Sequence, residues 1–306
     1  MKKNIIYIIL FALIGSNSFA QTGTDSVAVK EKDYPMDAVF ESSYLIDAQT
    51  TVVPEVKTLQ MAIQHKFAPI EDGISNLYGI YGSANIRLGL DYVPVKNLQI
   101  GAGITKRYMM TDVNAKYTIL QQTRKNTMPI SLAVYGNMGI DGSDIGGLDS
   151  IQEASYNGAV GPYTFSDRLN YFAQVIVSRK FCKEFSMQAA ASFTHYNAVK
   201  PEYDHDKIGV HVNGRIKVTP MGSIIFNFDA PLKIKGISEH TEFVDAYTSK
   251  PSIAFGYEVS TGTHAFQFFM SSTQALLPQD NMMYNQNEMN KSGFSLGFVI
   301  TRLFGI

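Results

Sequence analysis

The stretch from residue 169 to residue 193, LNYFAQVIVSRKFCKEFSMQAAASF, contains two runs in which apolar residues recur at every second position. The repeating residues are Leu169, Tyr171, Ala173, Val175 and Val177 in the first run, and Phe185, Met187, Ala189, Ala191 and Phe193 in the second. Because successive side chains of a β-strand point to opposite faces, this period predicts two strands, each with one apolar and one polar face. The short segment around Cys182 would join them as a hairpin.

The same alternation continues from residue 55 to the last residue and predicts about twelve strands. Strands of about ten residues suit a tilted crossing of a lipid bilayer, whereas those of a soluble β-sandwich are usually shorter. Short connections alternate with long ones, and aromatic residues such as Phe67 and Tyr92 lie near the ends of the apolar faces. We therefore predict an all-β fold, a transmembrane antiparallel up-and-down β-barrel with short periplasmic turns and long extracellular loops.

One part of the pattern is weaker than the rest. Residues 116–123 alternate poorly, and the segment from Met110 to Asn114 is predicted as a short connection on the extracellular side. Counting the weak stretch as a strand gives the even number that places both chain ends in the periplasm.

The N-terminal residues predict export. Lys2 and Lys3 precede an apolar run that is too short to span a bilayer, and Ser18 to Ala20 form a small-residue cleavage site. We predict a signal peptide at residues 1–20, a flexible periplasmic leader at 21–50 and the barrel at 51–306. The predicted location is the outer membrane of a Gram-negative bacterium, after cleavage of the signal peptide.

Composition excludes several classes of protein. The chain has 26 Lys and Arg residues against 27 Asp and Glu residues, so it lacks the basic excess of a nucleic-acid-binding protein. Cys182 is the sole cysteine, which excludes a disulfide framework and a four-cysteine zinc cluster. No motif indicates a cofactor.

Five stretches make the chain resemble an uncharacterised family of bacterial outer-membrane β-barrel proteins, known as a domain of unknown function. They are TTVVPEVKTLQMAIQHKFAPIEDG (50–73), DRLNYFAQVIVSRKF (167–181), SFTHYNAVKPEYDHDKIGVHVNGRIK (192–217), STGTHAFQFF (260–269) and GFSLGFVITRLF (293–304). The resemblance covers nearly all of residues 50–306 and implies an outer-membrane barrel. It implies no substrate, reaction or functional residue.

The inward face of the predicted barrel carries charged side chains among many Gln, Asn, Ser and Thr residues. The predicted lumen-lining residues are Arg87, Asp91, Arg107, Arg168, His211, Arg215, Asp229 and Glu258. Two outcomes compete: these side chains pair and fill the interior, or unpaired arginines line a narrow pore that favours anions.

The remaining polar residues raise two further possibilities, metal binding and lipid hydrolysis. Asp204, His205 and Asp206 combine carboxylates with an imidazole in one predicted loop, and we regard them as a candidate metal site. Outer-membrane phospholipases carry a His and a Ser two residues apart on one strand. None of the six histidines here has a Ser two residues further on. The sequence therefore does not predict an enzyme.

The leading functional prediction is a passive pore or small-solute channel in contact with outer-membrane lipid. The alternative is a non-conducting barrel with a structural or docking role, which displays its long loops or binds a periplasmic protein through residues 21–50. A lumen plugged by residues 139–166 would favour the alternative.

Overall fold

The computed structural model describes residues 32–37, 39–144, 164–199, 203–234, 248–287, 289 and 293–306. Its strands are β1 (Tyr44–Leu45), β2 (Ala48–Gln49), β3 (Thr58–Pro69), β4 (Asn85–Val95), β5 (Leu98–Thr105), β6 (Met110–Leu120), β7 (Ser131–Ile140), β8 (Leu169–Lys180), β9 (Phe185–Tyr196), β10 (Asp206–Lys217), β11 (Gly222–Leu232), β12 (Ser252–Ser260), β13 (His264–Ser271) and β14 (Ser295–Gly305). Strands β3 to β14 form a closed antiparallel barrel in which sequence neighbours pair and β14 pairs with β3. The predicted twelve-stranded up-and-down barrel is confirmed.

The remaining elements are short. Among the described residues, one α-helix, α1 (Pro278–Tyr284), and three 3-10 segments (Ile70–Asn76, Arg107–Met109 and Phe165–Arg168) lie in the connections. No helix among the described residues is both long and apolar enough to cross a membrane.

Side chains alternate between the lumen and the outside along each strand, as the sequence pattern requires. In β8, Gln174 and Ile176 are buried while Val175 is exposed, and in β4 Arg87 is buried while Leu88 is exposed. The outer face is apolar and the lumen is mostly polar, which is the reverse of a soluble protein.

Strand β6 corrects one detail of the sequence interpretation. Met110 already pairs with Thr105, so residues 110–114 are strand and not a connection. The turn before them is made by residues 106–109, with Tyr108 and Met109 at positive φ of 57° and 42°. Glycine or asparagine is the usual residue at such angles, so this turn had no sequence signal. Thr111 on the outer face further weakens the apolar pattern.

The connections define two ends of the barrel. The short-turn end carries the connections at residues 96–97, 121–130, 181–184, 218–221 and 261–263, and Cys182 is exposed there. The long-loop end carries the connections after β3, β7, β9, β11 and β13, together with the 106–109 turn.

The N-terminal segment differs from the predicted flexible leader. Residues 39–53, called the plug below, enter the lumen from the short-turn end, turn at Ile46 and Asp47 between β1 and β2, and return to begin β3. Residues 32–37 lie along the short-turn end, where Pro35 bridges to Thr123. The leader predicted to extend to residue 50 therefore has its last part inside the barrel, because that part carries apolar residues that the lumen buries. The predicted signal peptide lies outside the described residues.

Candidate functional site

Side chains of the lumen wall bind the backbone of the plug. The Gln267 amide contacts the plug backbone twice: its Nε2 donates to the carbonyl of Tyr44 at 2.9 Å, and its Oε1 accepts from the Ile46 N–H at 2.6 Å. Gln188 Nε2 likewise donates to the carbonyl of Gln49 at 2.7 Å. A backbone held away from water must have its polar groups paired. These wall amides supply partners that water or a sheet would otherwise provide.

An apolar patch on the wall matches apolar residues of the plug. Phe40, Leu45 and Ile46 are almost completely buried and pack in one cluster with the inward-facing Ile225 and Phe269. The cluster also contains Val39, Tyr44, Ala62, Ala254 and Val299. Burying each large apolar side chain contributes about 1.5 to 3 kcal/mol. The plug is thus seated by burial as well as by hydrogen bonds.

A second segment fills the lumen from the long-loop end. Residues 272–287, called the cap below, fold inward with α1, and α1 buries Gln279 to Met283. Gln279 Nε2 donates to Asn137 Oδ1 at 2.6 Å, and Asn281 Nδ2 donates to Asp229 Oδ2 at 3.1 Å. Strands β7 and β11 therefore both hold the cap in place.

Lys66 joins the plug to the cap. Its side chain is fully buried, and Nζ donates to Asp47 Oδ2 at 2.6 Å and to the carbonyl of Ala275 at 2.7 Å. Asp47 belongs to the tip of the plug and Ala275 to the cap. The two segments meet at this ammonium group.

Most of the predicted lumen charges are paired. Arg87 forms a two-point contact with Asp112, with Nε to Oδ1 at 2.9 Å and Nη2 to Oδ2 at 2.7 Å. Arg215 Nη2 lies 2.7 Å from Glu41 Oε1 of the plug. Asp91 accepts from the Tyr44 hydroxyl at 2.9 Å. The sequence left open whether these charged side chains pair and fill the interior or line a pore. At these positions they are paired or hydrogen-bonded and fill the interior.

Glu258 is also buried, and it accepts a hydrogen bond from Gln267 at 2.8 Å. Arg107 and Arg168 differ from the other predicted residues because they lie in 3-10 segments at the long-loop end and not on strands. Arg107 Nε is 3.5 Å from Asp280 Oδ2, and Arg168 Nη1 donates to the carbonyl of Asp141 at 2.8 Å. Asp280 raises the pKa of Arg107 above its ordinary value.

His211 lies between Asp229 and Ser192 and contacts both, an arrangement that the sequence did not reveal. Ser192 Oγ is 2.7 Å from His211 Nε2, and His211 Nδ1 is 2.7 Å from Asp229 Oδ1. This order of groups resembles that of a serine hydrolase. The adjoining cavity has only about 20 Å³, enough for about one water. Met282 crowds the site as well, since a Cβ on Gly209 would lie 2.6 Å from its sulfur. The trio has no room for a substrate in this state.

The three residues of the candidate metal site each bind a different protein group. Asp204 Oδ2 lies 3.0 Å from Lys207 Nζ, and Asp206 Oδ1 lies 2.6 Å from His195 Nδ1. His205 Nδ1 bonds to the carbonyl of Tyr196. Over the part of the chain that the structure describes, no group of three His, Cys, Asp or Glu side chains is arranged to hold a metal ion.

A cavity of about 580 Å³ opens at the long-loop end, beside the C-terminal end of α1. Arg107, Asp141, Arg168 and Tyr284 are among its lining residues. We call it the mouth cavity. It is large enough for a small ligand, whose binding sites typically have volumes of about 300 to 1,000 Å³.

Sequence reasoning missed the plug and the cap. Two signals were present: the apolar run Tyr44-Leu45-Ile46 within the supposed leader, and the apolar Ile225 and Phe269 on inward positions of strands. Together they indicate a segment that packs inside the barrel. The predicted plug at 139–166 lies mostly outside the described residues, which end at 144 and resume at 164.

A family model described as a membrane bound beta barrel domain (DUF5777) matches residues 40–304. The chain therefore belongs to this family and is a membrane-bound β-barrel protein. The matched region begins at Phe40, so it includes the plug. The predicted resemblance is confirmed.

Solved structures give more distant similarities. The NanC porin is 8% identical, with 80% of this chain and 99% of that chain covered and a TM-score of 0.46. An outer membrane channel from Pseudomonas putida F1 is 11% identical, with 83% and 97% covered and a TM-score of 0.46. LpxR from Salmonella typhimurium is 11% identical, with 81% and 100% covered and a TM-score of 0.38. Comparison with curated proteins gives no match.

Proposed function

We propose that the protein is an outer-membrane channel for small solutes, described here in its closed state, and that the channel opens when the plug leaves the lumen. The observation that carries this proposal is topological. The plug enters and leaves the lumen at the same end, since residues 32–37 and the start of β3 both lie at the short-turn end. It can therefore withdraw as a hairpin without passing through the barrel.

The character of the lumen wall supports a removable plug. Wall groups such as Gln188, Gln267 and Lys116 bond to the plug through side chains that water can solvate equally well once the plug has left. The barrel ladder from β3 to β14 closes on itself without any strand of the plug. A twelve-stranded barrel falls between the eight-stranded barrels that side chains fill and the sixteen-stranded porins that enclose water.

We place the barrel in the outer membrane of a Gram-negative bacterium, with the short-turn end in the periplasm and residues 1–20 removed as a signal peptide. Short periplasmic turns opposite long extracellular loops are usual for such barrels. A periplasmic protein that pulls on the chain before residue 32 would withdraw the plug.

The second candidate is a barrel that stays closed and serves as a structural or docking protein. The filled lumen favours it, because the plug and the cap meet at Lys66. The same experiment separates the two candidates.

The test uses a Cys182→Ser background and ion conductance in planar bilayers. Leu45→Asp with Ile46→Asp places two charges against the apolar patch, so the plug should be released and current steps should appear above the wild-type level. A tether is then added through Ser42→Cys and Thr301→Cys, whose native hydroxyl oxygens lie 3.1 Å apart. Oxidation should abolish the current and reduction should restore it.

The single-cysteine variant Ser42→Cys serves as the control, because it cannot be tethered and should conduct under both conditions. Release of the plug is verified separately by chymotrypsin, which can cleave this variant after Phe40 or Tyr44 once they are exposed. A folded variant whose plug is cleaved but which carries no current would refute the channel and leave the docking role.

A further inference from the structure

We propose that the mouth cavity is a binding site for an uncharged, hydroxyl-rich solute of one or two sugar rings. The cavity has about 580 Å³ and is lined by residues of the 106–109 turn, of the connections after β7, β9 and β13, and of the start of β8. Binding does not depend on the proposed channel. Passage of the ligand onward through the barrel would rest on that proposed function.

The lining of the mouth cavity is rich in aromatic residues. Tyr284, the last residue of α1, is surrounded by three tyrosine rings whose centroids lie 5.9 Å (Tyr108), 5.3 Å (Tyr196) and 5.2 Å (Tyr203) from its own. Tyrosine presents an apolar ring together with a hydroxyl group. A sugar ring has the same two characters, with C–H faces and a rim of hydroxyls, so the lining suits it better than a purely apolar or purely ionic ligand.

Two polar atoms of the lining residues lack hydrogen-bond partners among the described residues. Tyr196 is 6% exposed, and its hydroxyl has no hydrogen-bond partner among the described residues. Gln286 also lines the cavity, and its Nε2 is buried and has no hydrogen-bond partner among the described residues. A buried polar group without a partner is unfavourable, and burying it is expected only where something else satisfies it. Both atoms belong to lining residues but are covered at the cavity surface, so a small movement of either side chain is needed before a ligand hydroxyl, which both donates and accepts, can pair with it.

The charged side chains of the lining are balanced in number. The lining contains two cationic side chains, Arg107 and Arg168, and two anionic ones, Asp141 and Asp167. Arg107 is paired with Asp280 at 3.5 Å, and Arg168 Nη1 donates to the carbonyls of Asp141 and Ser143 at 2.8 and 2.9 Å. The charges cancel and the guanidinium groups are engaged, which favours a neutral ligand over a carboxylate or a phosphate.

The protonation of the tyrosines fits the same ligand. Burial raises the pKa of Tyr108 and of Tyr284, so both hydroxyls stay neutral at physiological pH. They remain available as hydrogen-bond donors as well as acceptors.

The ligand would touch the cap directly. Tyr284 ends α1, and the next residue, Asn285, donates through Nδ2 to the carbonyl of Lys250 at 2.9 Å. A solute bound in the mouth cavity would therefore contact the segment that closes the long-loop end, and this would tie solute binding to the state of the cap.

The experiment measures binding to the purified, closed, wild-type protein in detergent by calorimetry and by tyrosine fluorescence. The chain has 17 Tyr and no Trp, so its near-ultraviolet emission reports on tyrosines. The uncharged probes are glucose, N-acetylglucosamine, maltose and cellobiose, and the charged probes are glucuronate and inorganic phosphate. We expect at least one uncharged probe to bind and to do so more tightly than either charged probe.

Two matched substitutions localise the site. Tyr196→Phe removes only the unpaired hydroxyl and should weaken binding about threefold to tenfold, as the loss of one neutral hydrogen bond does. Tyr81→Phe makes the same chemical change at a tyrosine that is 77% exposed on the long connection after β3 and should leave affinity unchanged.

Absence of binding by all four uncharged sugars would overturn the proposal. So would tighter binding of glucuronate or phosphate, or equal effects of the two tyrosine substitutions. The conductance experiment is independent: a barrel that binds sugar but never conducts would refute the channel and leave this site standing.

Discussion

Arg87 shows how single residues determine the interior of this barrel. Its side chain is 2% exposed and its guanidinium makes a two-point contact with Asp112, which is itself fully buried. Gly89 and Gly103 provide the necessary space, because a Cβ on Gly103 would lie 2.5 Å from Nη2 of the arginine. Arg87, Asp112 and the two glycines are therefore packed as one unit, in which the absence of a glycine side chain leaves room for the guanidinium.

This pair gives the first prediction. Arg87→Gln leaves the Asp112 carboxylate buried without its cation, and breaking a buried pair in this way costs about 3 to 5 kcal/mol. The free energy of unfolding, measured by urea titration in lipid vesicles, should fall by about that amount. Arg87→Gln combined with Asp112→Asn removes both charges and should recover most of the loss. A double variant no more stable than the single one would show that the pair is not coupled.

Two short segments of the chain, the plug and the cap, fill the lumen of this barrel, whereas side chains alone fill an eight-stranded barrel. The plug and the cap reach the lumen from opposite ends, and Lys66 of β3 contacts both of them. Asp47 Oδ1 also accepts a hydrogen bond from Asn227 Nδ2, so the tip of the plug is fixed from two sides of the barrel.

The second prediction concerns this junction. Lys66→Met keeps the length of the side chain but removes the ammonium, so Asp47 and the carbonyl of Ala275 lose their donor. Hydrogen bonds to a charged group contribute about 1.5 to 3 kcal/mol each, so the released plug should be at least about tenfold more populated. The rate of chymotrypsin cleavage after Tyr44 or Leu45 reports this population.

Lys57→Met is the matched control, since Lys57 is an exposed lysine between the plug and β3. It should leave the cleavage rate unchanged. If Lys66→Met also leaves the rate unchanged, Lys66 does not hold the plug.

The difference between strands and filling segments explains what the sequence could predict. Strands β8 and β9 follow from alternation alone, because a bilayer outside and a polar lumen inside act on every residue of a strand. The plug has no such period. Its turn places Ile46 at a φ of 61°, where a β-branched residue is rare, so the turn carried none of the Gly or Asn that mark such positions. Tertiary packing holds it there, and that packing was not visible in the local pattern.

The same reasoning applies to the candidate site. The alternation of apolar and polar residues along each strand predicts that Arg87, Asp91 and His211 point into the lumen. It does not predict their partners, because pairing depends on which residues face each other across the lumen. The mouth cavity collects residues from five separate parts of the chain and has no sequence motif.

The plug is part of the same domain as the barrel. The family match begins at Phe40 and so includes the segment that the lumen buries. The apolar patch around Phe269 and Ile225 would face the water of an empty lumen if this segment were absent. The closed barrel and its N-terminal segment are therefore one folding unit, and the proposed opening would expose an apolar surface at a cost that keeps the closed state dominant.

The last prediction tests the orientation of this unit in the membrane. Cys182 is exposed at the short-turn end, which we place in the periplasm, and Ile74 is 73% exposed in a connection at the long-loop end. On intact cells, an impermeant maleimide should leave the wild-type protein unlabelled and should label a Cys182→Ser, Ile74→Cys variant. Permeabilising the outer membrane should then allow labelling of Cys182, which shows that its thiol is reactive. Labelling of Cys182 on intact cells, with none of the Ile74→Cys variant, would mean that the long loops face the periplasm and that solute would meet the plug before the mouth cavity.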